Sequence, residues 1–184
     1  MRILLLGGSK SGKSGLAQEL SSMLASGGRK IYWATMEPVD GEDEARIEKH
    51  VEDRLGMGFE TIECGKSLLA RADEAEGATV LFDSVTAYLA NEMFGGGFDE
   101  NAPERAAGEL LELSLSCDNF VCVCDELFRG GEDHEGLTED YVRGLAMICR
   151  TLAAHFDTVC EVVCGVPHTV KGSLDPLGIT AGTA

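Results

Sequence analysis

Eight residues near the amino terminus, Gly7-Gly8-Ser9-Lys10-Ser11-Gly12-Lys13-Ser14, have the spacing G-x-x-x-x-G-K-S. That spacing is a phosphate-binding loop. Its glycines let the backbone curl so that successive N–H groups point inward at phosphate oxygens. Lys13 reaches the β- and γ-phosphates of a nucleoside triphosphate, and the Ser14 hydroxyl is a ligand for Mg2+. A second group, Arg46, His50 and Arg54, repeats at i, i+4, i+8 and shares one face of a helix. Two readings fit it. Either the stripe is a solvated face with Arg46 paired to Glu42, or it is a functional group of two cations and an imidazole whose charge changes near neutral pH. Asp83 closes the apolar run Thr79-Val80-Leu81-Phe82. The end of a parallel strand is where a magnesium-orienting carboxylate belongs, whereas a carboxylate that caps the next helix is the alternative.

These residues need elements to position them. Ile3 to Leu6 is an apolar run that predicts a buried strand, and Leu16, Ala17, Leu20, Met23 and Leu24 fall on one face of a following helix. This strand–loop–helix setting is the context the phosphate loop requires. A second strand is expected over Lys30 to Thr35. A helix from about Glu42 to Leu55 follows, with Ile47, Val51 and Leu55 as its buried stripe. Further strands are expected at Phe59 to Glu63, Ala78 to Asp83, Phe120 to Cys124 and Thr158 to Cys164, the last of the chain. Helical patterns cover Ser67 to Ala75, Val85 to Met93, Pro103 to Ser116 and a long stretch to His155 that Thr138 can cap. The Gly- and acid-rich stretch from Phe128 to Gly136, with His134, reads as a mobile loop near the strand ends. Strands alternate with helices, and most strands are continuously apolar. That pattern predicts an α/β fold, a mainly parallel sheet covered on both faces.

At 184 residues with 44% hydrophobic content the chain has the material for one core, with residues 1–171 as a single domain and 172–184 as a weakly patterned tail. No apolar run reaches transmembrane length, and no signal-peptide layout precedes the first strand, so the expected location is the cytoplasm. A net charge of -17 argues against a nucleic-acid partner, which needs a basic surface. The seven cysteines form no C-x-x-C and several lie in strand-like runs, where thiols act as small hydrophobes.

The order of these pieces resembles the bifunctional adenosylcobinamide kinase / adenosylcobinamide-phosphate guanylyltransferase family of cobalamin biosynthesis. The loop from Gly7 to Ser14 is similar to its G-G-x-x-S-G-K-S. Tyr32-Trp33-Ala34-Thr35 is similar to its Y-x-A-T, and Arg46-Ile47 through His50 to Arg54 to its R-I-x-x-H-x-x-x-R. Thr61-Ile62-Glu63 matches T-x-E, Phe82-Asp83-Ser84-Val85-Thr86 resembles L-D-C-L-T with Asn91 following, and Gly165-Val166-Pro167 with Lys171 resembles the closing G-x-P segment.

The resemblance implies a three-layer P-loop NTPase of RecA-like fold, with GTP and ATP as substrates, Mg2+ as cofactor and a corrinoid, cobinamide, as acceptor. It implies that the enzyme first phosphorylates the aminopropanol hydroxyl of adenosylcobinamide. A histidine, here His50, then attacks the α-phosphate of GTP, pyrophosphate leaves, and GMP passes to adenosylcobinamide phosphate. It assigns Ala34, Thr35, Arg46, Arg54, Glu63 and Asp83 to the nucleotide, with Glu63 and Asp83 open between guanine, ribose and magnesium, and it implies a trimer. Lys49 precedes His50, so His50 is the one candidate nucleophile on its helix. The chain departs from the family at Asp125, where an asparagine is usual, and at Val142, Ala146 and Cys149, which replace arginine, glycine and asparagine. Two other readings follow from that divergence: a P-loop small-molecule kinase without the transferase half, and a non-catalytic nucleotide-binding regulator. Intact Lys13 and Ser14 weigh against the regulator.

Overall fold

The computed structural model describes residues 1–38, 41, 51–52, 54–127 and 135–179. Most of the predicted helix over 42–55, including Arg46 and His50, lies outside the described residues, as do positions 128–134 with His134 and the end of the tail. Among the described residues the chain runs β1 (Arg2–Gly7), α1 (Lys13–Ala25), β2 (Lys30–Ala34), β3 (Phe59–Glu63), a 3-10 helix (Leu68–Ala75), β4 (Thr79–Asp83) and α2 (Val85–Phe94). It continues with α3 (Ala102–Ser116), β5 (Asn119–Asp125), α4 (Leu137–His155), β6 (Thr158–Val163), β7 (Val166–Lys171) and a short 3-10 turn (Asp175–Leu177).

The seven strands form one sheet in the order β3-β2-β4-β5-β1-β6-β7. All neighbours are parallel except β6 and β7. Alternation along each strand sends side chains to opposite faces. Leu4, Trp33, Phe82 and Phe120 join α2, α3 and α4 in one core, while Ile3, Tyr32, Leu81, Val121 and Val123 meet Leu16, Ala17 and Leu20 of α1 in the other. The result is helix, sheet, helix, as the continuous apolar strands predict. Parallel pairing brings the C-terminal ends of β1, β2, β4 and β5 to one edge, since Gly7 is in register with Asp125 and Ala34 with Asp83.

Several expectations need correction. Val51 and Leu55 are 47% and 73% exposed, whereas Arg54 is only 7% exposed. Among the described residues of this segment, the buried one is therefore a cation, Arg54. The chain is already turning at Arg54 and Leu55, with glycines at 56 and 58 in the left-handed region. A helical period carried through to Leu55 thus assigns the wrong face. Thr138 does not cap α4; the helix starts at Leu137 after Gly136, and Thr138 lies in its first turn.

Thr158–Val163 is not the last strand. Cys164 and Gly165, at φ +50° and +80°, form a two-residue turn that sends β7 back along β6. Such a turn suits the right-handed twist of a hairpin. Pro167 is accommodated because β7 is a sheet edge. Beyond it, Leu174 is buried and Leu177 and Ile179 pack on the α1 face, so Ser173 to Ile179 is docked rather than loose.

Candidate active site

The phosphate loop leaves β1 at Gly7 and enters α1 at Lys13. A Cβ on Gly7 would stand 2.5 Å from the Val162 carbonyl oxygen, so only glycine lets β1 end this close to β6. Gly12 has φ +96°, and a Cβ there would meet the Gly165 Cα at 3.0 Å. The Gly165 N–H donates to the Ser11 carbonyl at 2.7 Å. The β6–β7 turn thus braces the loop from behind, glycine against glycine. No side chain caps α1 and no acid sits in its first turn. The free N–H groups and the positive end of the helix are left for an anion.

Lys13 is only 5% exposed. Its Nζ donates to the Gly8 carbonyl at 2.7 Å and lies 2.9 Å from Asp125 Oδ1. An ammonium has three donors, so one remains for a phosphate oxygen. Asp125 is itself held: its N–H donates to Thr86 Oγ1 at 2.8 Å, and the Tyr141 hydroxyl donates to the Thr86 carbonyl at 2.8 Å. Tyr141 on α4 therefore supports the lysine's partner through Thr86. Ser11 Oγ is buried without a hydrogen-bond partner among the described residues, an open donor within the loop.

On the α1 side of the sheet, Asp83 Oδ2 accepts a hydrogen bond from the Tyr32 hydroxyl at 2.9 Å. Ser84, not Asp83, caps α2: its side chain accepts from the Ala87 N–H. The capping alternative for Asp83 is thereby removed. Arg54 lies across the other side of Tyr32, its guanidinium carbon 3.3 Å from the ring centroid, a cation–π contact. Arg54 Nη1 is buried and has no hydrogen-bond partner among the described residues.

Thr35 is fully buried, and its hydroxyl donates to the Ser84 carbonyl while accepting from the Ser84 N–H. It ties the ends of β2 and β4 together. Asn91 bridges the Thr35 and Gly65 carbonyls, which extends the tie to the segment after β3. Ala34 is half-buried beside Asp83 in register, and Glu63 is exposed at the end of β3, on the same sheet face by alternation.

Residues 3–170 match the family described as cobinamide kinase / cobinamide phosphate guanyltransferase. The chain belongs to this family. It is an enzyme of the cobinamide kinase and cobinamide phosphate guanylyltransferase class.

Among its relatives, the bifunctional adenosylcobalamin biosynthesis protein CobP of Pseudomonas aeruginosa is 31% identical, over 94% of this chain and 98% of that protein. The CobU protein of Salmonella typhimurium is 29% identical, over 93% of this chain and all of its own length. A solved structure, the flagellar accessory protein FlaH of Methanocaldococcus jannaschii, superposes with a TM-score of 0.53 at 14% identity, covering 99% of this chain and 82% of its own. That likeness speaks to fold alone: a mainly parallel sheet between two helical layers, with the phosphate loop at the end of its first strand.

For this member of the cobinamide kinase family, the structure brings together the loop, Lys13, Ser14, Asp83 and Arg54 around one edge and one face of the sheet. The sequence marks Asp125 as a departure from the family but not as a site residue, although it ends a buried parallel strand as Asp83 does. The same rule that picks Asp83 finds it. Magnesium held with a triphosphate takes one or two protein oxygens, with phosphate and water supplying the rest. Ser14 and Asp83 offer a hydroxyl and a carboxylate, a hard-oxygen set that fits. Among the described residues no cluster of three or more His, Cys, Asp or Glu could hold a metal by itself. No helix in the described residues is long and apolar enough to cross a membrane.

Proposed function

We propose that one polyphosphate site, the loop from Gly7 to Ser14, serves both reactions of the family in this chain. Lys13 contacts the β- and γ-phosphates while Ser14 and Asp83 hold Mg2+, which offsets phosphate charge when bound. In the kinase reaction the aminopropanol hydroxyl of cobinamide attacks the γ-phosphorus, the bond to the bridging oxygen breaks, and a nucleoside diphosphate leaves. In the transferase reaction a His50 nitrogen attacks the α-phosphorus of GTP and pyrophosphate departs. An oxygen of cobinamide phosphate then attacks the same phosphorus, forming the diphosphate linkage and freeing the imidazole. Arg46 and Arg54, one turn either side of His50 in sequence, offset charge on the phosphate oxygens in the transition state. Ala34 and Glu63 form the nucleotide-facing edge beyond them, and Thr35, itself fully buried, holds that edge by tying β2 to β4.

The observation that carries this reading is the buried Lys13 ammonium, fixed by Gly8 and Asp125 with one donor uncommitted. The buried Arg54 Nη1, without an acceptor among the described residues, gives it independent support. The enzyme acts in the cytoplasm as a homo-oligomer, a trimer by resemblance, and its net charge of -17 supports the absence of a nucleic-acid partner. The test is incubation with GTP labelled at the α-phosphate. Wild type acquires acid-labile, base-stable label, whereas His50→Ala acquires none and still phosphorylates cobinamide. Equal labelling of the two proteins overturns the assignment of His50.

A further inference from the structure

Tyr32 has no place in the reactions just described, yet it touches two of the residues that do. It sits in β2, nearly fully buried on the α1 face, where a tyrosine needs a reason to keep its hydroxyl. The hydroxyl donates to Asp83 Oδ2 at 2.9 Å. The ring lies under Arg54, with 3.3 Å from centroid to guanidinium carbon. A single side chain therefore contacts both an acid and a base of the site, one through its edge and one through its face.

The consequences are separable. A carboxylate at a strand end is free to rotate about its terminal torsion. Accepting a hydrogen bond at Oδ2 fixes its plane and leaves Oδ1 to face another partner. A guanidinium that is 7% exposed cannot be solvated, and the ring's negative face takes the place of water on one side. Arg54 Nη1 still lacks an acceptor among the described residues, and it is the donor there that an anion can take.

We infer that Tyr32 is a positioning residue for the nucleotide site: its hydroxyl orients Asp83 toward the metal–phosphate complex, and its ring presents Arg54 to phosphate. This rests on the reading that Asp83 contacts the metal-bound nucleotide. The Tyr32 hydroxyl acts only through Asp83, so its removal weakens binding of nucleotide with metal more than binding of nucleotide alone.

The probe is α,β-methylene-GTP, which cannot release pyrophosphate, titrated calorimetrically with EDTA and again with Mg2+. In Tyr32→Phe the ring stays under Arg54 and the hydroxyl is gone. The expected result is about a tenfold loss of affinity with Mg2+, the scale of one hydrogen bond to a charged group, and unchanged affinity in EDTA. Tyr32→Leu, which also removes the ring face, loses affinity under both conditions. A tyrosine that is only structural lowers the thermal midpoint and leaves the ratio of the two affinities at its wild-type value; that result overturns the inference. Asp83→Asn separates the levels. If it weakens the Mg2+ complex while Tyr32→Phe does not, positioning by Tyr32 is wrong and the role of Asp83 stands. If Asp83→Asn leaves the Mg2+ complex intact, the reading of Asp83 fails and the inference fails with it.

Discussion

The Lys13 ammonium is clamped between its own loop and the end of a neighbouring strand, 2.7 Å from the Gly8 carbonyl and 2.9 Å from Asp125 Oδ1. The pair balances a buried cation, and it also places a negative charge beside the phosphate cradle. Replacing Asp125 with asparagine keeps a polar partner and removes that charge. Tighter binding of metal-free GTP is expected, by about threefold to tenfold, the scale of a partly exposed charge pair. Asp125→Ala leaves the ammonium underpaired and is expected to cost about 1–2 kcal/mol of stability. Calorimetric binding and urea denaturation check the two variants.

Gly12 is the point at which loop and hairpin turn touch. With φ +96° and Gly165 Cα 3.0 Å from a built Cβ, Gly12→Ala strains the backbone and pushes the loop off its brace. A loss of about 1–3 kcal/mol is expected. The loop's N–H groups no longer converge, so nucleotide affinity falls by more than the stability alone accounts for. Gly108→Ala is the control, since it lies on the exposed side of α3 with nothing within 4 Å of a Cβ.

Gly144 illustrates a different use of glycine. A Cβ on it would lie 2.6 Å from Pro103 Cγ, where α4 crosses the start of α3. Gly144→Ala forces the two helices apart and is expected to cost about 1–3 kcal/mol. Activity per folded molecule falls as well, because α4 also carries Tyr141, which supports Asp125 through Thr86. Thermal denaturation and an active-site titration by guanylylation separate the two effects.

Alkaline pH destabilises this fold through its buried thiols. Burial pushes Cys117 up to about 12 and raises Cys122, while a hydrogen bond from Cys149 together with burial raises Cys124. In the unfolded chain these thiols ionise near their ordinary value of about 8.5. Above that pH the unfolded state binds fewer protons, so stability falls as pH rises, by up to about 1.4 kcal/mol per pH unit for each such group. The urea midpoint is expected to drop steadily between pH 8.5 and 11. Cys117→Ala shallows the decline.

Much of the architecture was legible because its causes are local. The phosphate loop is a run of adjacent residues whose glycines and lysine serve one purpose. Buried parallel strands announce themselves as short apolar runs, and the strand ends at Asp83 and Asp125 follow from them. Family membership rests on the same kind of local spacing, read over residues 3–170. What resisted reading depended on partners distant in sequence. Val51 and Leu55 look like a buried stripe, yet the face turned inward carries Arg54, because Tyr32 from another strand supplies the surface that receives a guanidinium.

The hairpin strand β7 was hidden for a related reason. Its two-residue turn depends on Cys164 and Gly165 taking left-handed conformations, which the apolar pattern does not record. The choice between roles for Asp83 was made by a hydroxyl from residue 32, and the partner of Lys13 lies 112 positions away at Asp125. Sequence by itself determined most of the elements, the phosphate loop and the family, since each of these is encoded in neighbouring residues. Tertiary structure alone decided which charges meet, because hydrogen bonds and ion pairs between strands depend on register and facing, and these exist only once the sheet has closed.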